Sequence, residues 1–130
     1  MNIFSFFSGA GFLDLGFELQ GNFNVVFVNE FHKAFNDVYQ YARQQMGIAQ
    51  PIYGHHVEDI TEYTDGKHDE KLTNLIELVN TSKQTDLTGF IGGPPCPDFS
   101  VAGRNKGRDG ENGKLSGTYT ELICRALPDF

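Results

Sequence analysis

The chain is short of cysteine, of positive charge and of long apolar runs, and each shortage closes off a class of protein. Its two cysteines, Cys96 and Cys124, are too few for a disulfide framework or a cysteine-built metal cluster. A reducing, cytoplasmic compartment is the simplest reading. No apolar stretch approaches the ~20 residues that cross a bilayer. The N-terminus is apolar, but it has no Lys or Arg before Lys33 and Asp14 interrupts it, which is not the pattern of a secretory leader. Ten Lys and Arg stand against 17 Asp and Glu, a net charge of −7. That balance is the reverse of a typical nucleic-acid-binding surface. Internal repeats and low-complexity segments are also missing.

What is present suits one domain. The chain has 130 residues and 12 Phe, material for a real core. The acidic average hides one basic stretch, with Arg104, Lys106, Arg108 and Lys114 against Asp109 and Glu111. A local basic loop on an acidic body is therefore compatible with the composition.

Strand patterns cover Asn2 to Phe7, Phe23 to Val28 and Asp86 to Ile91, with a shorter third strand leading from His55 to Glu58-Asp59-Ile60. Helical spacing appears over Phe12 to Gln20, with Asp14 and Glu18 on the outer side. It recurs over His32 to Met46, where Ala34, Phe35, Val38, Tyr39, Ala42 and Met46 follow at threes and fours. It appears again around residues 69–81 and over Thr118 to Leu127, with Leu122, Ile123 and Ala126 inward and Cys124 in the core. Thr61 to Lys71 reads as loop. Gly103 to Gly117 holds five glycines and is too long and polar for an ordinary connection. Strands alternating with helices predict an α/β fold with a parallel sheet.

Four constellations carry chemistry. Phe7-Ser8-Gly9-Ala10-Gly11 joins the first strand to the first helix, where glycines admit a ligand close to the backbone or simply make a turn. Asp14 stands where a dinucleotide fingerprint needs its third glycine, so a pyrophosphate fits less well than a smaller polar group. Glu30, at the end of strand two, can accept hydrogen bonds from both ribose hydroxyls, and Phe31 can cover a flat base or join the core. Asp59 and Ile60, at the third strand end, can read and pack an adenine edge. Ligands of open α/β sheets bind at this carboxyl edge. The fourth is Gly92-Gly93-Pro94-Pro95-Cys96-Pro97-Asp98-Phe99-Ser100. A proline on each side restricts the backbone of Cys96, a mount suited to a sulfur that must be aimed. His55 and His56 are adjacent, point apart and have no Cys nearby, so no metal is expected.

Taken in order, Phe7-Ser8-Gly9-Ala10-Gly11, Asn29-Glu30-Phe31, Asp59-Ile60 and Pro94-Pro95-Cys96-Pro97-Asp98-Phe99-Ser100 resemble the motifs of cytosine-C5 DNA methyltransferases. Gly117 to Arg125 is similar to the helix that follows the family's catalytic loop. The resemblance spans nearly the whole chain. It implies a Rossmann-like parallel sheet of order 3-2-1-4, truncated, with residues 1–130 forming the N-terminal, cofactor-binding half of the catalytic domain. It implies S-adenosyl-L-methionine as methyl donor and S-adenosyl-L-homocysteine as product. Cofactor contacts would come from Phe7, Gly9, Gly11, Phe12, Leu13, Glu30, Phe31, Asp59, Ile60 and Pro94. Cys96 would be the nucleophile on a cytosine flipped from double-stranded DNA, with Ser100, Arg104, Lys106 and Arg108 contacting the nucleic acid.

Three departures accompany the resemblance. Pro97 replaces the family's Gln, Phe12 replaces a second glycine, and the Glu-Asn-Val motif expected after Phe130 is absent. A target-recognition region is also missing, which predicts little methyl transfer by this chain alone and an unpaired outer edge on strand four. A missing C-terminal part, a separately encoded completing chain, a non-enzymatic cofactor-binding fragment and an RNA-directed relative are the alternatives.

Overall fold

A computed structural model describes residues 1–95 and 111–130. In chain order the elements are β1 (Asn2–Phe6), α1 (Phe12–Glu18), β2 (Asn24–Asn29), α2 (Lys33–Met46) and β3 (His55–His56). A 3-10 turn (Ile60–Tyr63), α3 (Asp69–Lys83), β4 (Thr88–Gly92) and α4 (Glu111–Ala126) follow. The four strands pair in parallel in the order β3-β2-β1-β4, as the alternation of elements predicts.

One face of the sheet is a row of phenylalanines. Phe4 is in register with Phe27 on one side and Phe90 on the other, with ring centroids 5.2 and 5.6 Å away. Phe6 packs into the same row with its ring tilted, and α3 and α4 cover it with Leu72, Leu75, Val79, Leu122 and Ala126. The register slips between Ile3 and Phe4, so Ile3 pairs with Val25 and Phe4 with Phe27. Val26 is the extra residue, which lets Val26 and Phe27 both join this core.

The opposite face holds Ile3, Val25, Val28 and Tyr39 and a buried polar network. Asp14 is fully buried, and Ser5 and Tyr39 each donate a 2.7 Å hydrogen bond to it. Arg43 binds the Glu18 carboxylate at 2.6 and 2.9 Å and donates from Nε to the Ala49 carbonyl. This overturns the expected face of α1. Asp14 and Glu18 turn inward, while Phe12 is 83% exposed and Leu19 72%. On α2 likewise Asn36, Tyr39 and Arg43 are buried and Phe35, Val38 and Met46 are exposed. The reason is pairing: Asp14, Glu18, Tyr39 and Arg43 satisfy one another, which removes most of the cost of burying them.

Other boundaries also differ from expectation. The third strand stops at His56, because beyond it the Asn29 amide binds the carbonyls of His56 and Glu58 and Asp59 caps the 3-10 turn. Tyr63, in the stretch read as loop, is buried. Helix α4 begins at Glu111 despite Gly113 and Gly117. Leu115, Tyr119, Leu122 and Ala126 recur at four, three and four and anchor it in the core, which outweighs the helix penalty of about 1 kcal/mol per glycine. With Leu122 and Ala126 inward, Cys124 faces outward and is exposed, not core. The outer edge of β4 is partly covered: Asp129 donates its N–H to Thr88 O at 2.7 Å and Phe130 O accepts from Phe90 N–H at 3.0 Å. Among the described residues, no helix is long and apolar enough to cross a membrane.

Candidate cofactor cleft

The carboxyl ends of β1 and β2 and the segment after β3 enclose a cleft of about 330 Å³, the size of a small-ligand site. It brings together six of the expected residues: Phe7, Gly9, Glu30, Phe31, Asp59 and Ile60.

The glycine turn is shaped by its backbone. Phe7 has a φ of 52° and Gly9 of 55°, both left-handed. For Phe7 this conformation is strained, and such strain collects at functional sites. A β-carbon on Gly9 would meet nothing within 4 Å among the described residues, so on their side Gly9 leaves the turn open. Gly11 differs, because its α-carbon faces the Tyr39 ring. Ser8 Oγ is buried and has no hydrogen-bond partner among the described residues.

Glu30 is buried, and its two oxygens tie the cleft together. Oε2 accepts from Gly9 N–H and Oε1 from His32 N–H, each at 2.8 Å. Each oxygen keeps a second lone pair for a ligand hydroxyl. Among the described residues, Asp59 is held by one oxygen only. Its Oδ1 accepts from the N–H and the hydroxyl of Thr61 at 2.9 and 2.8 Å, which leaves Oδ2 for the cleft. Ile60 is buried beneath, and Phe31, 60% exposed, forms the rim. Glu30, Glu58 and Asp59 line the cleft, and no Lys or Arg does among the described residues. Such a wall favours a ligand with hydroxyl and amino donors or positive charge over a phosphate.

Sequence reasoning missed Asn29, His32, Phe35, Glu58, Pro95 and Leu115 in the lining. Leu115 was legible in the four-three-four spacing of α4. Phe35 lies one helical turn beyond Phe31. Glu58 had no signal of its own. Conversely, Gly11 and Phe12 line a separate groove between α1 and α2 with Val38, Ala42 and Met46. Leu13 is half-exposed and lines neither, and Pro94 stands next to the lining residue Pro95. Cys96, Ser100, Arg104, Lys106 and Arg108 lie outside the described residues.

A parallel sheet of order 3-2-1-4, with acidic and aromatic groups gathered at its carboxyl edge, defines an α/β domain of the methyltransferase type. The chain matches the C-5 cytosine-specific DNA methylase family over residues 1–130 and belongs to it. It is 57% identical over 129 residues to the Type II methyltransferase M.NmeDI of Neisseria meningitidis serogroup C, a match covering 98% of this chain and 30% of the relative. Over 131 residues it is 35% identical to M.MthTI of Methanothermobacter thermautotrophicus, covering 100% of this chain and 32% of that one. It is 32% identical to M.AquIA of Picosynechococcus, covering 97% and 44%. The chain thus spans less than half the length of these relatives.

Proposed function

We propose that residues 1–130 are the cofactor-binding part of a DNA cytosine-C5 methyltransferase, and that the cleft holds S-adenosyl-L-methionine and its product S-adenosyl-L-homocysteine. The observation that carries this reading is one cleft lined by Phe7 and Gly9 after β1, Glu30 after β2, and Glu58 and Asp59 after β3, with no Lys or Arg in the lining among the described residues. The residues fit the cofactor. The cradle at Gly9 is open, the buried Ser8 Oγ is unpartnered among the described residues, and Asp59 keeps one carboxylate oxygen uncommitted. Gly9 would lie against the amino-acid end and Glu30 would accept from the ribose. Phe7, Phe31 and Leu115 would enclose the adenine, and Asp59 with Ile60 would meet its edge. When bound, the cofactor supplies an electrophilic methyl group on a sulfonium centre.

The chain's own reacting group in this reading is Cys96. A stacked cytosine hides its C5 and C6, so the base must leave the duplex. The Cys96 thiolate then adds to C6, and the C5–C6 π pair moves to C5, which becomes nucleophilic. That pair makes the new bond at C5; when the C5 proton is then lost, the pair of the C5–H bond re-forms the C5–C6 double bond, and the sulfur–carbon bond breaks with its pair restoring the thiolate. Ser100, Arg104, Lys106 and Arg108 are assigned to double-stranded DNA, the three basic residues as phosphate contacts. The remaining length seen in the relatives, as the rest of the chain or a separate one, would supply target recognition.

Calorimetry with S-adenosylhomocysteine tests the cleft. Binding that Glu30→Ala weakens supports it. A chain that binds a nicotinamide dinucleotide as well as S-adenosylhomocysteine, or binds neither, overturns it.

A further inference from the structure

The segment that carries Asp59 leaves the sheet after two strand residues, His55 and His56, so the sheet ladder does not hold it. Two other restraints do. From β2, the buried Asn29 amide donates to the carbonyl oxygens of His56 at 3.3 Å and Glu58 at 3.1 Å. From the opposite side, the Glu58 carboxylate accepts from the Tyr63 hydroxyl on one oxygen and from Lys71 Nζ on the other. Lys71 sits on α3 and also binds Glu62. Glu58 is mostly shielded from solvent, lines the cleft, and directly precedes Asp59.

We propose that Glu58, Tyr63 and Lys71 are positioning residues: together they fix the angle at which Asp59 presents its uncommitted oxygen and so set how strictly the cleft reads the amino group of the cofactor's base. This rests on the reading of the cleft as an S-adenosylmethionine site. The three groups act through the backbone of residues 58–59 and need not touch the ligand. Packing anchors the segment only after Asp59, where Ile60 is buried; before it Val57 is exposed, so the Glu58 side relies on the polar restraints. An ion pair reaching to α3 links this segment to an element outside the sheet. A carboxylate held at one oxygen by its own helix cap can still pivot about that bond, and the misplacement of a hydrogen-bond acceptor by about 1 Å is enough to lose its discrimination.

The test is calorimetry with two ligands, S-adenosylhomocysteine and its analogue with hydrogen in place of the 6-amino group. The unmodified chain should prefer the amino compound by about tenfold, the worth of one charge-assisted hydrogen bond. Lys71→Met should reduce that preference to about twofold while changing affinity for the analogue by less than about threefold. Lys71→Arg, which keeps the ion pair, should restore it. If Lys71→Met does not fold, Tyr63→Phe removes one hydroxyl and should shift the preference in the same direction. A preference that survives both substitutions, or affinities for the two ligands that fall in equal proportion, overturns the proposal. An unmodified chain that binds neither ligand overturns the cleft reading instead, and one that binds both equally removes the role of Asp59 on which the positioning depends.

Discussion

The α-carbon of Gly11 lies against the ring of Tyr39 so closely that a β-carbon there would come within 2.4 Å of two ring carbons. The same tyrosine donates its hydroxyl to Asp14, three residues further along the turn-and-helix that Gly11 opens. One aromatic side chain from α2 therefore seats both the start of α1 and its buried acid. The glycine turn at the cleft is built on that seat.

Gly11→Ala should be much more damaging than Gly9→Ala. Both positions have left-handed backbone, which costs an alanine about 1–2 kcal/mol. Only Gly11 adds a collision with Tyr39, and overpacking of this kind costs about 1–3 kcal/mol more. Urea unfolding of the two variants measures the difference, and equal losses would mean that the ring yields freely.

Tyr39→Phe removes one of the two donors to a buried carboxylate and should cost about 1–3 kcal/mol. Burial pushes the Asp14 pKa up, and the bonds from Ser5 and Tyr39 only partly offset it. The sign follows from linkage. A folded pKa above the unfolded one means that the cost of the buried charge is absent at acid pH and complete above the folded pKa. Losing a donor raises that pKa further, so the deficit of Tyr39→Phe should be larger at neutral pH than at acid pH. Thermal melts across that range check it.

Glu30→Ala should weaken cofactor binding and also loosen the turn, because Gly9 N–H and His32 N–H both lose their acceptor. Glu30→Gln keeps one acceptor oxygen and should retain more stability than affinity. Melting temperature and calorimetry on the same samples separate the two effects.

Lys71→Met should raise the pH at which the protein acid-denatures. Burial pushes the Glu58 carboxyl up, but the hydrogen bonds from Lys71 and Tyr63 and the Lys71 charge outweigh it and hold the pKa below the usual value. Lys71 itself is pushed up to about 12 by its bonds to Glu58 and Glu62. The stability that Glu58 contributes is therefore present above its unfolded pKa and lost as pH falls through the depressed folded one. Without Lys71 that loss should begin at higher pH. Melting curves between about pH 3 and about pH 7 report the shift, and superimposable curves for the two proteins would refute it.

In an enzyme carrying the full length of the relatives, Cys96→Ser should abolish covalent trapping on DNA that contains 5-fluorocytosine. With fluorine at C5 the departing proton is missing, so an adduct at C6 accumulates only if the thiolate forms it. Trapping that persists would assign the nucleophile elsewhere.

Much of this was legible in the sequence. The alternation of Asn2–Phe6, Asn24–Asn29 and Thr88–Gly92 with helical segments specifies a parallel sheet, because apolar β-branched and aromatic runs leave few other arrangements. Glu30 and Asp59 could be picked out because each follows a recognisable strand or strand-like run. The inward turn of Asp14 could not. An acid in an amphipathic pattern reads as solvent-facing unless its donors are known, and Ser5 and Tyr39 are 9 and 25 residues away. Glu58 was equally silent, because its cation lies 13 residues on, in α3.

The sequence by itself determined the order of elements, the family and the types of group at each strand end, because these follow from local periodicity and from motifs that are contiguous in the chain. Only the tertiary structure decided which of those groups share one cleft. It separated Gly9, open to the cleft, from Gly11, filled by Tyr39. It also placed Leu115 in the same cleft as Glu30 and Asp59. The physical reason is that hydrogen bonds and ring contacts between distant residues are satisfied only when the chain is folded, and burial of a polar group is permitted only by partners that local sequence does not reveal.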